Sequence, residues 1–244
     1  MKQLPLPIRL DQRATFAAFV AGENGMLVEA LKEMLNPASK PEPQVYLWSG
    51  GPNGKSHLLQ SLCQAASEAG TRAIYLPLGE MAESDFGILE NLERYAIVCL
   101  DDVHRVCGLP EWAEALFHLI NRLRQSGSRL AMSANGPPDA LDSALPDLAS
   151  RLSWGPVYRI QPLRDGDLVD FVVRRSRRQG VVIPRDVVEY LIRFTRRDVT
   201  EMIEWVDLLD REALARQRRV TRPFIRELVA SSGGRRRQAT RQGH

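Results

Sequence analysis

A short apolar segment, Val45–Trp48, leads into a glycine-rich turn and the tripeptide Gly54-Lys55-Ser56, after which a helical pattern begins. Strand, glycine-rich turn and Gly-Lys-Ser at the start of a helix is the layout of a phosphate-binding loop. In such a loop the backbone N–H groups bind phosphate oxygens, the lysine reaches the terminal phosphates and the serine hydroxyl reaches Mg²⁺. The sequence therefore predicts a site for ADP or ATP together with Mg²⁺.

One position departs from the full pattern of this loop. The pattern has a glycine five positions before Gly54, where this chain has Ser49. The two glycines that follow Ser49 can supply the flexibility of the missing one. An ordinary strand-to-helix turn with an exposed lysine is the alternative interpretation. We expect the residues that bind phosphate to be Gly50, Gly51, Pro52, Asn53, Gly54, Lys55, Ser56 and His57.

A second motif consists of the apolar run 96–100 followed by Asp101 and Asp102. Such a run predicts a strand that is buried on both faces, as in a parallel sheet covered by helices. Acids at its carboxyl end lie where open α/β sheets bind ligands. We expect Asp101 to hold Mg²⁺ together with Ser56, and Asp102 to polarise the attacking water. The alternative is that both acids cap the next turn, near His104.

Strand and helix patterns alternate up to residue 162, and only helical patterns follow. The alternation predicts an α/β fold, a doubly wound parallel sheet with flanking helices, followed by a small all-helical domain. Strands are predicted at 44–49, 72–77, 96–101, 128–133 and 156–160. Helices are predicted at 24–35, 55–69, 85–94, 110–126, 145–152, 165–179, 184–194, 198–217 and 221–230. The predicted division is an extended leader (1–12), a nucleotide-binding domain (13–162), a helical domain (163–230) and a disordered basic tail (231–244).

Composition excludes several classes of protein. No apolar stretch reaches the roughly 18–20 residues that span a bilayer, so we expect no membrane association. Three cysteines without metal-ligand spacing indicate a reduced, cytoplasmic protein. The net charge of +3 does not by itself indicate nucleic-acid binding. Arginines do cluster in the C-terminal third, and Arg235–Arg237 could make nonspecific, salt-sensitive contacts with DNA.

The order of these motifs resembles the AAA+ ATPases, and within them the DnaA family, over roughly residues 3–230. The segment 15–24 is similar to the family's box near the adenine, which places Phe19 and Val20 beside the nucleotide. The run 145–155 is most similar to the regulatory inactivators of DnaA, the Hda group. The resemblance implies a bacterial AAA+ protein whose helical domain is a lid, and it implies self-association.

The resemblance also gives Arg151 the role of an arginine finger. Such a residue points out of its own subunit into a neighbour's nucleotide site, where its guanidinium neutralises charge on the transferring phosphate. An ion pair with Asp147, four residues earlier on the same helix face, is the alternative.

Two further family positions concern hydrolysis by the chain itself. Asn135 stands at the sensor 1 position, where it would orient water or contact the γ-phosphate, although it could also be a turn asparagine before Gly136. At sensor 2 the family has an arginine and this chain has Thr200, with Arg197 one turn earlier. This departure predicts slow intrinsic ATP hydrolysis.

The leader resembles the short peptide with which replication proteins bind the DNA polymerase III sliding clamp; its residues are Gln3, Leu4, Pro5, Leu6 and Pro7. Proline favours an extended backbone and leucines can fill an apolar cleft. The resemblance therefore implies a negative regulator of replication initiation that docks on the clamp and stimulates ATP hydrolysis by the initiator DnaA. The chain ends 14 residues after the last predicted helix, so we expect no DNA-binding domain to follow the lid.

Two alternative functions remain open. One is an autonomous AAA+ ATPase that acts as a helicase loader or transposition helper. The other is a nucleotide-dependent scaffold that binds DNA through its arginine-rich lid.

Overall fold

The computed structural model describes residues 11–36, 38, 42–195 and 198–239, and for 231–239 it describes the backbone alone. The chain divides into two compact units between Gln161 and Pro162.

Five parallel strands form the sheet of the first unit. They are β1 (Gln44–Trp48), β2 (Ala73–Pro77), β3 (Ile97–Asp101), β4 (Arg129–Ala134) and β5 (Val157–Arg159). Their order across the sheet is β2-β3-β4-β1-β5, and each neighbouring pair is parallel. Because β4 lies between β1 and β3, the carboxyl ends of these three strands share one edge of the sheet. That edge brings together the turn after β1, the acids after β3 and the residues after β4.

Both faces of the central strands β1, β3 and β4 are buried, which explains their apolar runs. Alternate residues of β3 enter different cores: Val98 and Leu100 pack into one, and Ile97 and Cys99 into the other. The helices of this unit are α1 (Gly25–Glu33), α2 (Lys55–Glu68), α3 (Leu78–Met81), α4 (Pro110–Ser126) and α5 (Pro146–Leu152). The core with Val98 contains residues of α4 and α5, and the core with Ile97 contains residues of α1 and α2. The predicted parallel α/β sheet is confirmed.

The predicted helix at 85–94 is wrong. Two short 3-10 turns, Phe86–Leu89 and Leu92–Arg94, occupy this segment. Asp85 caps the first turn by accepting a hydrogen bond from the backbone N–H of Gly87 at 2.9 Å. Asn91 separates the turns and has a φ of 57°, in the left-handed region that interrupts a right-handed helix. The apolar spacing of the segment thus arises from two consecutive turns.

In the described part of the second unit, four helices surround a core of its own. They are α6 (Asp165–Arg178), α7 (Arg185–Ile192), α8 (Val199–Arg216) and α9 (Arg222–Ala239). Leu168 of α6, Val188 of α7 and Val206 of α8 are fully buried in this core. Asp198 caps α8 by accepting a hydrogen bond from the N–H of Glu201 at 2.7 Å. The all-helical second domain predicted from the sequence is confirmed.

The predicted start of a disordered tail at residue 231 is wrong for residues 231–239, because α9 continues to Ala239. A lack of apolar residues predicts that a segment is not buried, but it does not prevent the backbone from extending an existing helix. Arg235–Arg237, Gln238 and Ala239 are all strong helix formers. Residues 240–244 lie outside the described part of the chain.

Two expectations from composition can be compared with the structure. Cys63, Cys99 and Cys107 are buried, free thiols. Within the described residues, every helix is too short or too polar to cross a bilayer.

Candidate nucleotide-binding site

The glycine-rich turn lies between β1 and α2, as predicted. Gly54 has a φ of 86°, and a Cβ at this position would lie 2.9 Å from the ring of Phe19, so glycine is required twice over. Added Cβ atoms on Gly50 and Gly51 would meet nothing within 4 Å, which shows open space around the turn. Pro52 is exposed, and the Asn53 N–H donates to the Gly51 carbonyl at 3.0 Å.

The start of α2 is available to an anion. Among the residues that the structure describes, no side chain caps this helix at Lys55. A helix start without a side-chain cap is suited to bind a ligand with negative charge, as helix N-termini bind phosphate. The turn and the helix start together fit the phosphates of a nucleotide.

The ammonium group of Lys55 bends back over the turn. Its Nζ donates to the Gly51 carbonyl at 3.0 Å, and to the hydroxyl and carbonyl of Ser49 at 3.2 and 3.3 Å. Ser49 is only 2% exposed, and its hydroxyl donates to the Gly51 carbonyl at 2.7 Å. Ser49, which stands where the pattern has glycine, therefore belongs to the network that places the lysine.

Asp101 lies buried at the end of β3, and each of its carboxylate oxygens accepts one hydrogen bond. Oδ2 accepts a hydrogen bond of 2.6 Å from the hydroxyl of Tyr75 on β2. Oδ1 accepts one from the hydroxyl of Ser133 on β4. Asp101 is 2% exposed and Ser133 is fully buried, so these two donors compensate for the loss of water around the carboxylate.

Asp102 has a strained backbone and a partly exposed side chain. Its φ of 56° lies in the left-handed region, which non-glycine residues rarely adopt outside functional sites and turns. Its backbone N–H donates to the Ser133 hydroxyl oxygen at 3.0 Å. Burial raises the pKa of Asp102 above its ordinary value, and the neighbouring Asp101 raises it further.

The alternative role for the two acids, as caps of the next turn, is wrong for Asp102. Asp102 does precede the 3-10 turn Val103–Arg105, but its side chain makes no capping hydrogen bond within the described structure. Its Oδ1 lies 3.9 Å from Nδ1 of His104. Burial lowers the pKa of His104, which weakens this pair because the ring is then more often neutral.

The segment 15–24 packs beside the glycine-rich turn. The ring of Phe19 faces Gly54 and lies 5.9 Å from the ring of His57, measured between centroids. Nε2 of His57 is 3.0 Å from the carbonyl of Thr15. Val20, the other residue predicted to contact the nucleotide, is half-buried. The structure therefore brings Phe19 and the phosphate-binding turn together.

Sequence reasoning missed three residues of this region. Ser133 and Tyr75 bind Asp101, and each is a hydroxyl residue within an otherwise apolar strand, which was the signal available. Buried Asn24 exchanges hydrogen bonds with the backbone of Gln161, at 2.7 Å to its N–H and 3.0 Å to its carbonyl. Asn24 thereby fixes the segment 15–24 to Gln161, the second residue after β5.

Arg151 lies on α5, apart from the turn, and packs against aromatic rings. Its guanidinium carbon is 4.2 Å from the ring centre of Trp154 and 4.9 Å from that of Phe117 on α4. Of the ion pairs between described residues, none joins Arg151 to Asp147, so that alternative is wrong. A surface pocket of about 350 Å³, lined by residues of α4 and the start of α5, includes Phe117.

The other predicted positions are placed as follows. Asn135 follows β4 and is exposed, and Thr200 is exposed on α8. The residues predicted to bind the clamp, Gln3, Leu4, Pro5, Leu6 and Pro7, lie outside the described residues, as do Arg197 and the side chains of Arg235–Arg237.

The donor set limits how a metal could be held here. The described residues contain no group of three or more His, Cys, Asp or Glu side chains that could bind a metal ion. Mg²⁺ in nucleotide sites is commonly held by one or two protein oxygens together with phosphates and waters. The Ser56 hydroxyl and the Asp101 carboxylate fit that role.

A sequence model of the bacterial DnaA ATPase domain matches residues 10–159, more than half of the chain. The chain belongs to the DnaA family of AAA+ proteins. A second model, of the Hda lid domain, matches residues 165–229 and places this DnaA-family chain close to Hda. The family predicted from the sequence motifs is confirmed.

Solved structures of DnaA share its fold. Domain III of DnaA from Thermotoga maritima superposes with a TM-score of 0.78 at 21% identity, covering 88% of this chain and 95% of that one. DnaA from Aquifex aeolicus bound to AMPPCP has a TM-score of 0.71 at 24% identity, covering 82% of this chain and 65% of that one. A replication initiator DnaA bound to AMPPCP and single-stranded DNA has a TM-score of 0.71 at 23% identity, covering 85% of this chain and 69% of that one.

Proposed function

We propose that this chain binds ADP or ATP with Mg²⁺ at the turn Gly50–His57. The uncapped start of α2 and the open glycines provide N–H groups for the phosphates, and Lys55 adds a compact positive charge. Phe19, packed on Gly54, gives an aromatic surface close to the turn. Bound AMPPCP in two DnaA structures of the same fold supports this proposal.

Mg²⁺, when bound, would screen the negative charge of the phosphates. The Ser56 hydroxyl and the Asp101 carboxylate would hold it, and the hydrogen bond from Ser133 orients that carboxylate. Asp102 and Asn135, beside the ends of β3 and β4, would orient water near the terminal phosphate. With Thr200 in place of an arginine at sensor 2, we expect intrinsic hydrolysis to be slow.

The regulatory part of the proposal is that the chain stimulates ATP hydrolysis by the initiator DnaA and so limits replication initiation. The observation that carries it is the state of Arg151. Its guanidinium is oriented by two aromatic rings, and its Nε is buried without a hydrogen-bond partner in the described structure. A positive charge that carboxylates do not neutralise is suited to stabilise the charge on a partner's transferring phosphate. The match of residues 165–229 to the Hda lid domain supports a regulatory role for the chain.

Docking on the sliding clamp would bring this activity to replicated DNA. The proposed contact is the leader peptide Gln3–Pro7, with self-association and nonspecific DNA contacts of the C-terminal arginines as further interactions. All of these belong to the proposal.

A mixing experiment tests the function as a whole. ATP-bound DnaA is incubated with clamp-loaded DNA, with and without this protein, and the conversion of bound ATP to ADP is followed. We expect a large acceleration that requires both this protein and the loaded clamp. If this protein hydrolyses ATP rapidly by itself and leaves DnaA unaffected, it is an autonomous ATPase, and the regulatory proposal is wrong.

A further inference from the structure

The hydroxyl of Tyr75 lies between the two residues proposed to hold Mg²⁺. Tyr75 on β2 pairs with Cys99 on β3, and Cys99 lies two residues before Asp101. The side chains of Tyr75 and Asp101 therefore project from the same face of the sheet. Its hydroxyl is 2.6 Å from Oδ2 of Asp101. The side chains of Ser56 and Gln60 on α2 lie close to this hydroxyl. Tyr75 is therefore hydrogen-bonded to the end of β3 and lies near the start of α2.

The direction of the Tyr75–Asp101 hydrogen bond is fixed by the environment. Tyr75 is only 7% exposed, and its hydroxyl faces a carboxylate oxygen, which can only accept a hydrogen bond. The phenol is therefore the donor. A carboxylate offers about four lone-pair sites, and the single donors on each oxygen of Asp101 leave one site per oxygen for another ligand.

We propose that Tyr75 is a positioning residue for Mg²⁺, holding the Asp101 carboxylate toward Ser56. The inference rests on the proposed nucleotide and metal binding, and it adds that the second strand takes part in the site. With the hydroxyl removed, Oδ2 of Asp101 loses its donor and the carboxylate can rotate about its remaining contact with Ser133. Groups that orient a metal ligand typically change metal affinity by about 10–100-fold.

The test is the Mg²⁺ dependence of ADP binding in Tyr75→Phe, measured by titration calorimetry at increasing Mg²⁺ and in EDTA. Phenylalanine keeps the ring and removes one oxygen. Tyr46→Phe is the matched control, since Tyr46 is fully buried on β1 and its hydroxyl donates to the Gly136 carbonyl at 2.8 Å, away from Asp101. Thermal melting of both variants verifies that they are folded.

We expect Tyr75→Phe to need about 10–100-fold more Mg²⁺ for its half-maximal effect on ADP affinity. Its affinity in EDTA should stay within about twofold of the unmodified protein, and Tyr46→Phe should behave like the unmodified protein. An unchanged Mg²⁺ requirement in Tyr75→Phe, or an equal loss with and without Mg²⁺, overturns the inference alone. Failure of the unmodified protein to bind ADP, or binding that ignores Mg²⁺, overturns the proposed function as well.

Discussion

The hydroxyl of Ser133 donates a hydrogen bond to the carboxylate of Asp101, joining β4 to the carboxyl end of β3. The oxygen of the same hydroxyl accepts a hydrogen bond from the backbone N–H of Asp102, at an N–O distance of 3.0 Å. A single buried serine therefore fixes the first acid through its side chain and the second through its backbone. One residue of the neighbouring strand therefore holds both acids.

Replacing this serine should destabilise the protein. Ser133→Ala leaves a buried carboxylate oxygen and a backbone N–H without their partner, which costs about 1–3 kcal/mol. Urea unfolding measures the change. Ser61→Ala is the control, because Ser61 is equally buried but bonds only the His57 carbonyl of its own helix. Equal losses in the two variants would show that the Ser133 bonds contribute nothing specific.

Removing the loop lysine should weaken nucleotide binding while the fold persists. Hydrogen bonds to charged groups contribute about 1.5–3 kcal/mol, so Lys55→Ala should raise the Kd for ADP about 10–100-fold. Calorimetric titration gives the Kd. Lys32→Ala, which removes an exposed lysine paired with Glu29 on α1, should leave the Kd unchanged. Unchanged affinity in Lys55→Ala would mean that the turn does not bind phosphate.

The ionised carboxylate of Asp102 should lower the free energy of unfolding at neutral pH. Its pKa is raised above 3.8 in the folded protein, first by burial and then by Asp101. A carboxyl group whose pKa is higher in the folded than in the unfolded protein stabilises the fold at pH values below its pKa in the unfolded chain. That contribution is lost as the pH rises through its pKa in the folded protein.

The variant Asp102→Asn should therefore be more stable than the unmodified protein at pH 7, with a difference that shrinks toward pH 4. Solvent screens the side chain, which is 39% exposed, so the gain should be under about 1 kcal/mol. Asparagine also tolerates the left-handed backbone at this position. Urea unfolding at both pH values measures the difference. A loss at pH 7, or a gain independent of pH, would contradict the assigned burial effect.

The leader should be needed for clamp retention and dispensable for nucleotide binding. Alanine at Gln3, Leu4 and Leu6 removes the proposed amide contact and both apolar anchors. A pull-down on immobilised clamp should lose the variant, while its Kd for ADP stays the same. Retention equal to that of the unmodified protein would remove the leader from the proposed function.

The sequence predicted the sheet well because its strands are buried on both faces and read as apolar runs, such as Ile97–Leu100. It predicted the phosphate-binding turn because residues 49–57 are contiguous in the chain. It could not predict the partners of Asp101, which lie 26 and 32 residues away on neighbouring strands and depend on strand register. The packing of Arg151 on Phe117 was missed for the same reason, since the two residues come from different helices.

We propose that Arg151 acts on the nucleotide bound to another protein, DnaA. The most direct measurement is single-turnover hydrolysis of ATP bound to DnaA on clamp-loaded DNA, in the presence of Arg151→Ala. Arginine fingers contribute about 10³–10⁵ in rate, so this variant should lose nearly all stimulation while keeping its own affinity for ADP. Arg159→Ala, whose guanidinium also lies over a tryptophan ring, at 5.2 Å from that of Trp48, should stimulate normally. Full stimulation by Arg151→Ala would show that Arg151 does not act on the nucleotide bound to DnaA.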